Sequence, residues 1–250
     1  MATLVLHLLG GFEASLNSGS PVTLTTKTGQ AMLAYLALTP ERRHSRDKLA
    51  ALLWEDRPDQ QARTSLRQTL AVLRKAIPPT NNPWLRTDGD WIALDRDLVE
   101  IDVAIFEDLA TQATAQTLAQ AADLYKGDLL QGFDVRSECF SDWLRGERER
   151  LHRRALQVLN ELLVLQFDSP DVEAGIATAL RLLSLDPFDE KVRRALMRLY
   201  VAHGRRDLAL RQYEMLSDRF SWHSRAGGGA VHSIISRRGL PTHAQMSAGQ

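Results

Sequence analysis

Apolar and polar positions alternate with a helical period along residues 59–77, which predicts one amphipathic helix. Its apolar stripe follows an i, i+4, i+7, i+11 spacing through Leu66, Leu70, Leu73 and Ile77. The opposite arc carries polar and cationic positions, with two arginines on its flank: Thr64, Gln68, Ala71, Lys75, Arg67 and Arg74. Asp59 is the expected N-cap, and the prolines after Ile77 end the helix. One face should therefore be buried and the other exposed; an ordinary solvated surface helix is the alternative interpretation.

The residues before this helix predict a small antiparallel sheet and two shorter helices. Strand-like runs occupy residues 3–9 and 12–16, and residues 22–24 can form a returning strand after a turn. The apolar positions of residues 27–38 predict a first helix, which Pro40 stops. Ser45 is a suitable N-cap for a second helix that ends near Trp54.

A hairpin signal follows the amphipathic helix. Two strand-like runs, residues 84–87 and 91–94, flank Asp88-Gly89-Asp90, and Asp-Gly between such runs favours a tight β-turn. The predicted order is thus a small sheet, three helices and a hairpin. This is the order of a winged helix-turn-helix domain, in which the third helix enters the DNA major groove and the hairpin is the wing.

The region from residue 99 onwards predicts helices without convincing strands. Residues 99–102 form a link in which Asp102 caps a helix, followed by helices near 115–125 and 139–167. The mixed charges of the last helix indicate a solvated face with i,i+4 pairs such as Glu149–Arg153. A separation of 34 residues then relates four pairs of similar positions: Leu162 and Leu196, Gly175 and Ala209, Ala179 and Tyr213, Leu182 and Leu216. This is the tetratricopeptide period; a plain helical bundle with a chance period is the alternative.

Composition excludes several classes of function. The 31 basic and 31 acidic residues give zero formal net charge, so any DNA-binding surface must be a local patch. The single cysteine excludes an internal disulfide and suits a reducing cytosol. We expect no signal peptide, no membrane span and a cytoplasmic location. No nucleophile-elbow, zinc-protease, Cys-x-x-Cys or phosphate-loop pattern occurs, and His223, His232 and His243 are irregularly spaced, so we expect no enzyme activity, cofactor or metal site.

Several blocks of the chain resemble one bacterial family. LLGGFEASL, GQAMLAYLALTPERRHSRDKLAALLW and ARTSLRQTLAVLRKAI resemble activators of the Streptomyces antibiotic regulatory protein type, and KGDLLQGFD, FSDWLRGERERL and ALMRLYVAHGRRDLALRQYEML resemble the activator domain of the same proteins. The resemblance implies a mainly α chain with an α+β N-terminal part. It divides the chain into an OmpR/PhoB-like winged helix at residues 1–98 and a tetratricopeptide-like bacterial transcriptional activator domain at 99–220. Residues 221–250 contain no acidic residue and include a glycine triplet, so we expect a disordered tail.

The same resemblance implies roles for individual residues and partners. Base-edge contacts are expected from Thr64, Arg67 and Gln68, and phosphate contacts from Arg63, Arg74 and Lys75. Arg46 and Lys48 are expected to reach phosphates from the flank, and Arg86 of the wing a phosphate or the minor groove. The implied partners are double-stranded DNA, a second copy of the chain, and RNA polymerase or another regulatory protein.

Two features depart from the family pattern. Relatives often carry a basic or polar residue at the position of Val72, and an aromatic-glycine tip where this chain has Asp88-Gly89-Asp90. An acidic wing repels phosphate, so a protein–protein adaptor that has lost DNA binding is one alternative. A regulatory fragment of a larger protein, of the nucleotide cyclase or ATPase type, is the other.

Overall fold

The computed structural model of the chain describes residues 3–39, 43–76, 84–167 and 169–220. Their packing divides the chain into two compact units, one reaching Asp171 and one beginning at Val172. Some predictions concern residues that the structure does not describe: Pro40, Ile77, the residues that end the third helix, the side chain of Leu216, and the tail from 221. The helices between residues 102 and 167 belong to the first unit together with the winged helix, so the predicted domain boundary after residue 98 stays a prediction.

The N-terminal sheet contains a parallel pair that the sequence did not predict. Strand β1 (Leu4–His7) pairs antiparallel with β2 (Glu13–Leu16). The predicted third strand at residues 22–24 is wrong, since this segment makes a single backbone hydrogen bond from Val22 to Ala14 and then runs into the first helix. The third strand is instead Val99–Ile101, predicted as a link, which pairs in parallel with β1 and is called β6 below.

Three helices follow the first hairpin, close to their predicted positions. The first, α1 (Lys27–Leu38), is confirmed and is buried along most of its length. The second, α2 (Arg46–Leu53), is capped by Ser45, whose hydroxyl accepts the Lys48 N–H over 3.1 Å, as predicted. The third, α3 (Asp59–Ala76), begins one position earlier than predicted. Asp59 is therefore its first helical residue and not its N-cap, because the Pro58 carbonyl already accepts helical N–H groups.

The predicted wing hairpin is confirmed. Strands β4 (Leu85–Asp88) and β5 (Trp91–Leu94) pair antiparallel around a two-residue turn. Gly89 occupies that turn at a φ of 53°, a conformation that favours glycine. A short strand before α2, β3 (His44–Ser45), pairs with β5 and attaches the hairpin to the helices.

The remaining helices of the first unit are α4 (Asp102–Gln112), α5 (Ala115–Leu124) and α6 (Glu138–Phe167). The predicted apolar stripe of α6 is buried throughout: Leu144, Leu151, Ala155, Leu159, Leu162 and Leu163. Within the described part of α6, the predicted Glu149–Arg153 pair is not formed. Arg150 instead pairs with Glu147 on its own helix and with Glu107 on α4, because α4 lies within reach of this face.

Asp102 joins the N-terminal sheet to α4 in a way that the sequence did not predict. Its side chain does not act as the expected N-cap of the helix that it begins. One carboxylate oxygen accepts the Leu8 and Leu9 N–H groups over 2.8 and 2.9 Å, and the other accepts the Val103 N–H over 2.8 Å. Burial, opposed by these three donors, raises the pKa of Asp102. The residue is 5% exposed, so it is a buried acceptor that holds the end of β1 against α4.

A second contact holds the start of α6 against α2. The Ser137 hydroxyl donates to the Leu52 carbonyl over 2.6 Å, and the Glu55 carboxylate accepts the Glu138 and Cys139 N–H groups. A hydrogen bond from the Cys139 thiol, together with these backbone donors, lowers the pKa of Glu55. A carboxylate from the winged helix therefore caps α6, where the helix dipole favours negative charge.

The second unit is built from α7 (Val172–Leu185), α8 (Glu190–Ala202) and α9 (Arg206–Phe220). Helix α8 packs against both α7 and α9. Of the positions that defined the 34-residue period, five are buried in this unit: Gly175, Ala179, Leu182, Leu196 and Ala209. Tyr213 is half-buried, and Leu162 is buried in α6 of the first unit. The period thus follows the helix–helix contacts that tetratricopeptide-like pairs require.

Candidate nucleic-acid interface

Helix α3 buries one face and exposes the other, as its periodicity predicts. Leu66, Leu70 and Leu73 are 2% exposed or less. Gly29 of α1 lies beside this stripe, since a Cβ on it would be in van der Waals contact, 3.7 Å from the Leu73 side chain. The proposed contact residues of α3 all lie on its exposed face: Arg63, Thr64, Arg67, Gln68, Arg74 and Lys75. These six side chains are therefore accessible to a ligand outside the protein.

Hydrogen bonds within α3 restrict what Thr64 and Arg67 can offer. The Thr64 hydroxyl donates to the Gln60 carbonyl over 2.8 Å, and its oxygen lies 3.3 Å from the Arg67 Nη2 donor. The hydroxyl proton is thus directed back along the helix, which leaves the methyl group of Thr64 for contact with a partner. Arg67 is oriented along the same face by this contact.

Two arginines that were expected to contact DNA also form hydrogen bonds with side chains of neighbouring elements. Arg63 donates through Nε to Asp47 at the start of α2, over 2.9 Å. Arg74 donates through Nη2 to the Thr87 hydroxyl of the wing, over 2.6 Å. Both contacts are exposed to solvent, so they orient the two arginines without removing them from the surface.

The wing is attached to α2 through Arg46. Its backbone N–H donates to the Asp90 carbonyl over 2.8 Å, and its Nε donates to the Gly89 carbonyl over 2.9 Å. Arg46 was expected to reach phosphate from the flank, but this geometry commits its Nε to the wing turn. Lys48, the other flanking cation, is exposed on the same helix.

Arg86 is engaged within the wing in a way that sequence reasoning missed. It forms an ion pair with Asp95, which follows the second wing strand. The Asp95 side chain is 10% exposed and that of Arg86 is 58% exposed. Contact of Arg86 with a phosphate would therefore compete with a carboxylate that is largely removed from solvent.

The groove between α2, α3 and the wing turn has balanced charge. Its lining includes three arginines and three aspartates, together with Gln60 and Leu66: Arg46, Arg63, Arg67, Asp47, Asp59 and Asp90. Asp88 is also exposed beside the turn. The acidic side of this lining was predicted for the wing tip but not for Asp47, because its proximity to Arg63 depends on how α2 and α3 pack.

The described ranges contain no cluster of metal-ligating side chains and no helix that is long and apolar enough to span a bilayer. The fold is mainly α, with a winged helix-turn-helix followed by a tetratricopeptide-like helical region, as the sequence predicted. A family model for the bacterial transcriptional activator domain matches residues 97–221. The chain belongs to this family, and its architecture is that of regulators of the Streptomyces antibiotic regulatory protein type.

Two related proteins define the extent of the similarity. Regulatory protein AfsR of Streptomyces coelicolor is 27% identical over 224 residues, which are 82% of this chain and 22% of AfsR. The chain therefore matches about a fifth of the length of that relative, or 22%. The structure of Mycobacterium tuberculosis EmbR, in complex with a low-affinity phosphopeptide, matches with a TM-score of 0.69 at 20% identity. That match covers 97% of this chain and 67% of the EmbR chain, and it supports the fold.

Proposed function

We propose that this chain is a sequence-specific DNA-binding transcriptional regulator of the activator type. The observation that carries the proposal is the two-faced character of α3. Its leucine stripe is buried in the winged helix, whereas its outer face presents four cations, Arg63, Arg67, Arg74 and Lys75. Cations on an accessible helix face neutralise phosphates, and Arg and Gln pair bidentately with base edges.

The hydrogen bonds refine the expected roles. Arg67 and Gln68 are the base readers in this proposal, and the Thr64 methyl is suited to apolar contact with a thymine methyl. Arg63, Arg74 and Lys75 contact phosphates. Lys48 assists from the flank, as do Arg46 and Arg86 where DNA displaces their internal partners.

The helical region after residue 101 has two roles in this proposal. It pairs two copies of the chain, and it contacts RNA polymerase or another regulatory protein. Paired winged helices address half-sites about 10–10.5 base pairs apart, or a multiple of that spacing. Sedimentation analysis of the chain would test the pairing of two copies, and a footprint on a DNA duplex that it binds would test the paired half-sites. A monomer that protects a single half-site would contradict both.

A binding experiment on Arg67 and Gln68 tests DNA recognition. A duplex is first selected from a randomised library with the full chain, and a scrambled duplex of equal length serves as the reference. The double variant Arg67→Ala/Gln68→Ala should lose roughly 1–3 kcal/mol for each base contact removed. Affinity for the scrambled duplex should change less, because that affinity arises mainly from phosphate contacts.

Helix α6 supplies a matched control. Arg153 and Gln157 are an exposed arginine and glutamine outside the winged helix, so Arg153→Ala/Gln157→Ala makes the same change in composition and charge. This control should bind both duplexes as the parent does. The recognition face is assigned wrongly if the α3 variant retains parental affinity for the selected duplex, or if the α6 control loses as much.

The balanced charge of the groove favours a second candidate, a protein–protein adaptor whose winged helix does not bind DNA. Three aspartates beside three arginines reduce the attraction for a polyanion. The salt dependence of binding separates the two candidates. A DNA reader loses affinity steeply between two salt concentrations while keeping its preference for the selected duplex, whereas an adaptor selects no duplex from the library.

A further inference from the structure

Asp47 is an acidic residue in a surface that the proposed function assigns to DNA. It lies in the first turn of α2 and faces the N-terminal half of α3 across the groove. Its carboxylate accepts a hydrogen bond from the Nε–H group of Arg63 over 2.9 Å. The two side chains are 70% and 60% exposed, so this pair contributes little to the stability of the fold. Because both residues line the groove, the presence of this ion pair is better explained by an effect on how Arg63 meets a ligand.

The pair engages only one edge of the Arg63 guanidinium. A guanidinium offers donors in a rigid planar fork. Because the hydrogen bond to Asp47 uses Nε, the end-on edge formed by Nη1 and Nη2 is left outside this contact. That edge matches two acceptors in one plane, such as a phosphate or the O6 and N7 atoms of guanine.

The carboxylate itself is held on a rigid support. Ser45 caps α2, the Arg46 N–H donates to Asp90, and the Arg46 Nε donates to Gly89. The start of α2 is thus attached to the wing turn on the side from which Asp47 extends. A supporting group on a fixed element orients its partner more narrowly than one on a loop.

We propose that Asp47 is a positioning residue that orients Arg63, a residue otherwise expected on a phosphate, for bidentate recognition of a guanine edge. Asp47 would so contribute to specificity although it carries the charge that phosphate repels. The proposal rests on the proposed function. Asp47 acts through Arg63 and does not itself contact the DNA.

The test measures binding of full-length variants to the selected duplex and to its scrambled counterpart. Asp47→Asn should lower the preference for the selected duplex by about tenfold, one lost oriented contact. Affinity for the scrambled duplex should stay level or rise, since a negative charge is removed. Arg63→Lys keeps the positive charge and lacks the planar fork, so Asp47→Asn should have no further effect on preference in that background.

Asp142→Asn on α6 is the matched control. Asp142 and Arg145 form an exposed pair at 3.0 Å, with side chains 69% and 75% exposed. This substitution should leave both affinities unchanged. A small decrease in the Tm of Asp47→Asn is expected, because an acidic residue in the first turn of α2 stabilises that helix. A lower Tm for Asp47→Asn with an unchanged preference for the selected duplex would assign a purely structural role and overturn the proposal.

Three further outcomes are decisive. Equal tightening of both duplexes by Asp47→Asn, with a steeper salt dependence, would identify Asp47 as a repelling charge and overturn the proposal. Losses of preference that add up in the Asp47→Asn/Arg63→Lys double variant would also overturn it, because independent residues add. A parent chain with no preference for any duplex would refute the proposed function itself, and the positioning role with it.

Discussion

Asp102→Ala tests whether a single buried carboxylate joins the N-terminal sheet to the helices that follow it. The substitution removes the acceptor of three N–H groups, those of Leu8, Leu9 and Val103. Each buried donor left without an acceptor costs about 1–3 kcal/mol. Removing a carboxylate whose own burial is unfavourable offsets part of the sum. We expect a net decrease of about 3–5 kcal/mol in the free energy of unfolding.

Asp102→Asn removes the negative charge but keeps one oxygen as a hydrogen-bond acceptor. The amide oxygen can keep the two bonds to Leu8 and Leu9, while the NH₂ group faces the Val103 N–H and leaves one donor without an acceptor. The expected loss is about 1–2 kcal/mol. The order of stability should therefore be parent, Asn, Ala, with the larger step between Asn and Ala.

Hydrogen exchange measured by NMR locates the effect. In Asp102→Ala the amides of Leu8 and Leu9 should exchange at least about tenfold faster, the equivalent of 1.4 kcal/mol. Amides of α8, in the other compact unit, should be unaffected and serve as the internal reference. The reasoning is refuted if Leu8 and Leu9 keep parental protection in the Ala variant, or if the Asn variant is destabilised as much as the Ala variant.

Two further predictions concern the start of α6 and the wing tip. The pKa of Glu55 is lowered from 4.5, so its contribution to stability is present above that value and is lost as the pH falls through the lower folded pKa. Glu55→Gln should remove this loss of stability at low pH, as measured by thermal unfolding over a pH series. An unchanged pH profile would contradict the capping role. Asp88→Asn/Asp90→Asn should raise affinity for selected and scrambled duplexes alike, by up to about 1 kcal/mol per carboxylate at low salt, as measured by gel shift at two salt concentrations; weaker binding would instead indicate that these carboxylates accept hydrogen bonds from DNA.

The elements predicted correctly are those whose signals lie within a few residues. The apolar spacing of α3, the Ser45 cap and the Asp-Gly turn each describe a local conformational preference, and each is confirmed. The failed predictions depend on partners far along the chain. Strand β6 pairs with β1 more than 90 residues earlier, and three residues of alternating pattern do not identify such a partner.

In the candidate site, too, the features that follow from local sequence signals were predicted and the contacts between separate elements were not. Periodicity predicted which side chains of α3 are exposed, because exposure follows from one buried stripe. It could not predict that Asp47 meets Arg63, that Asp95 meets Arg86, or that Thr87 meets Arg74. Each of these contacts depends on the packing of separate elements, and together they decide which cations remain available to a ligand.

The capping of α6 by Glu55 has a mechanical consequence. With 30 residues and a rise of about 1.5 Å per residue, α6 is about 45 Å long. Because its first turn is fastened to α2, a rotation of about 5° at that attachment would displace the far end by about 4 Å on this length. Helix α5 also packs against α6 and would oppose such a rotation. A rotation that did occur would be transmitted to α2, which forms one side of the groove that faces α3.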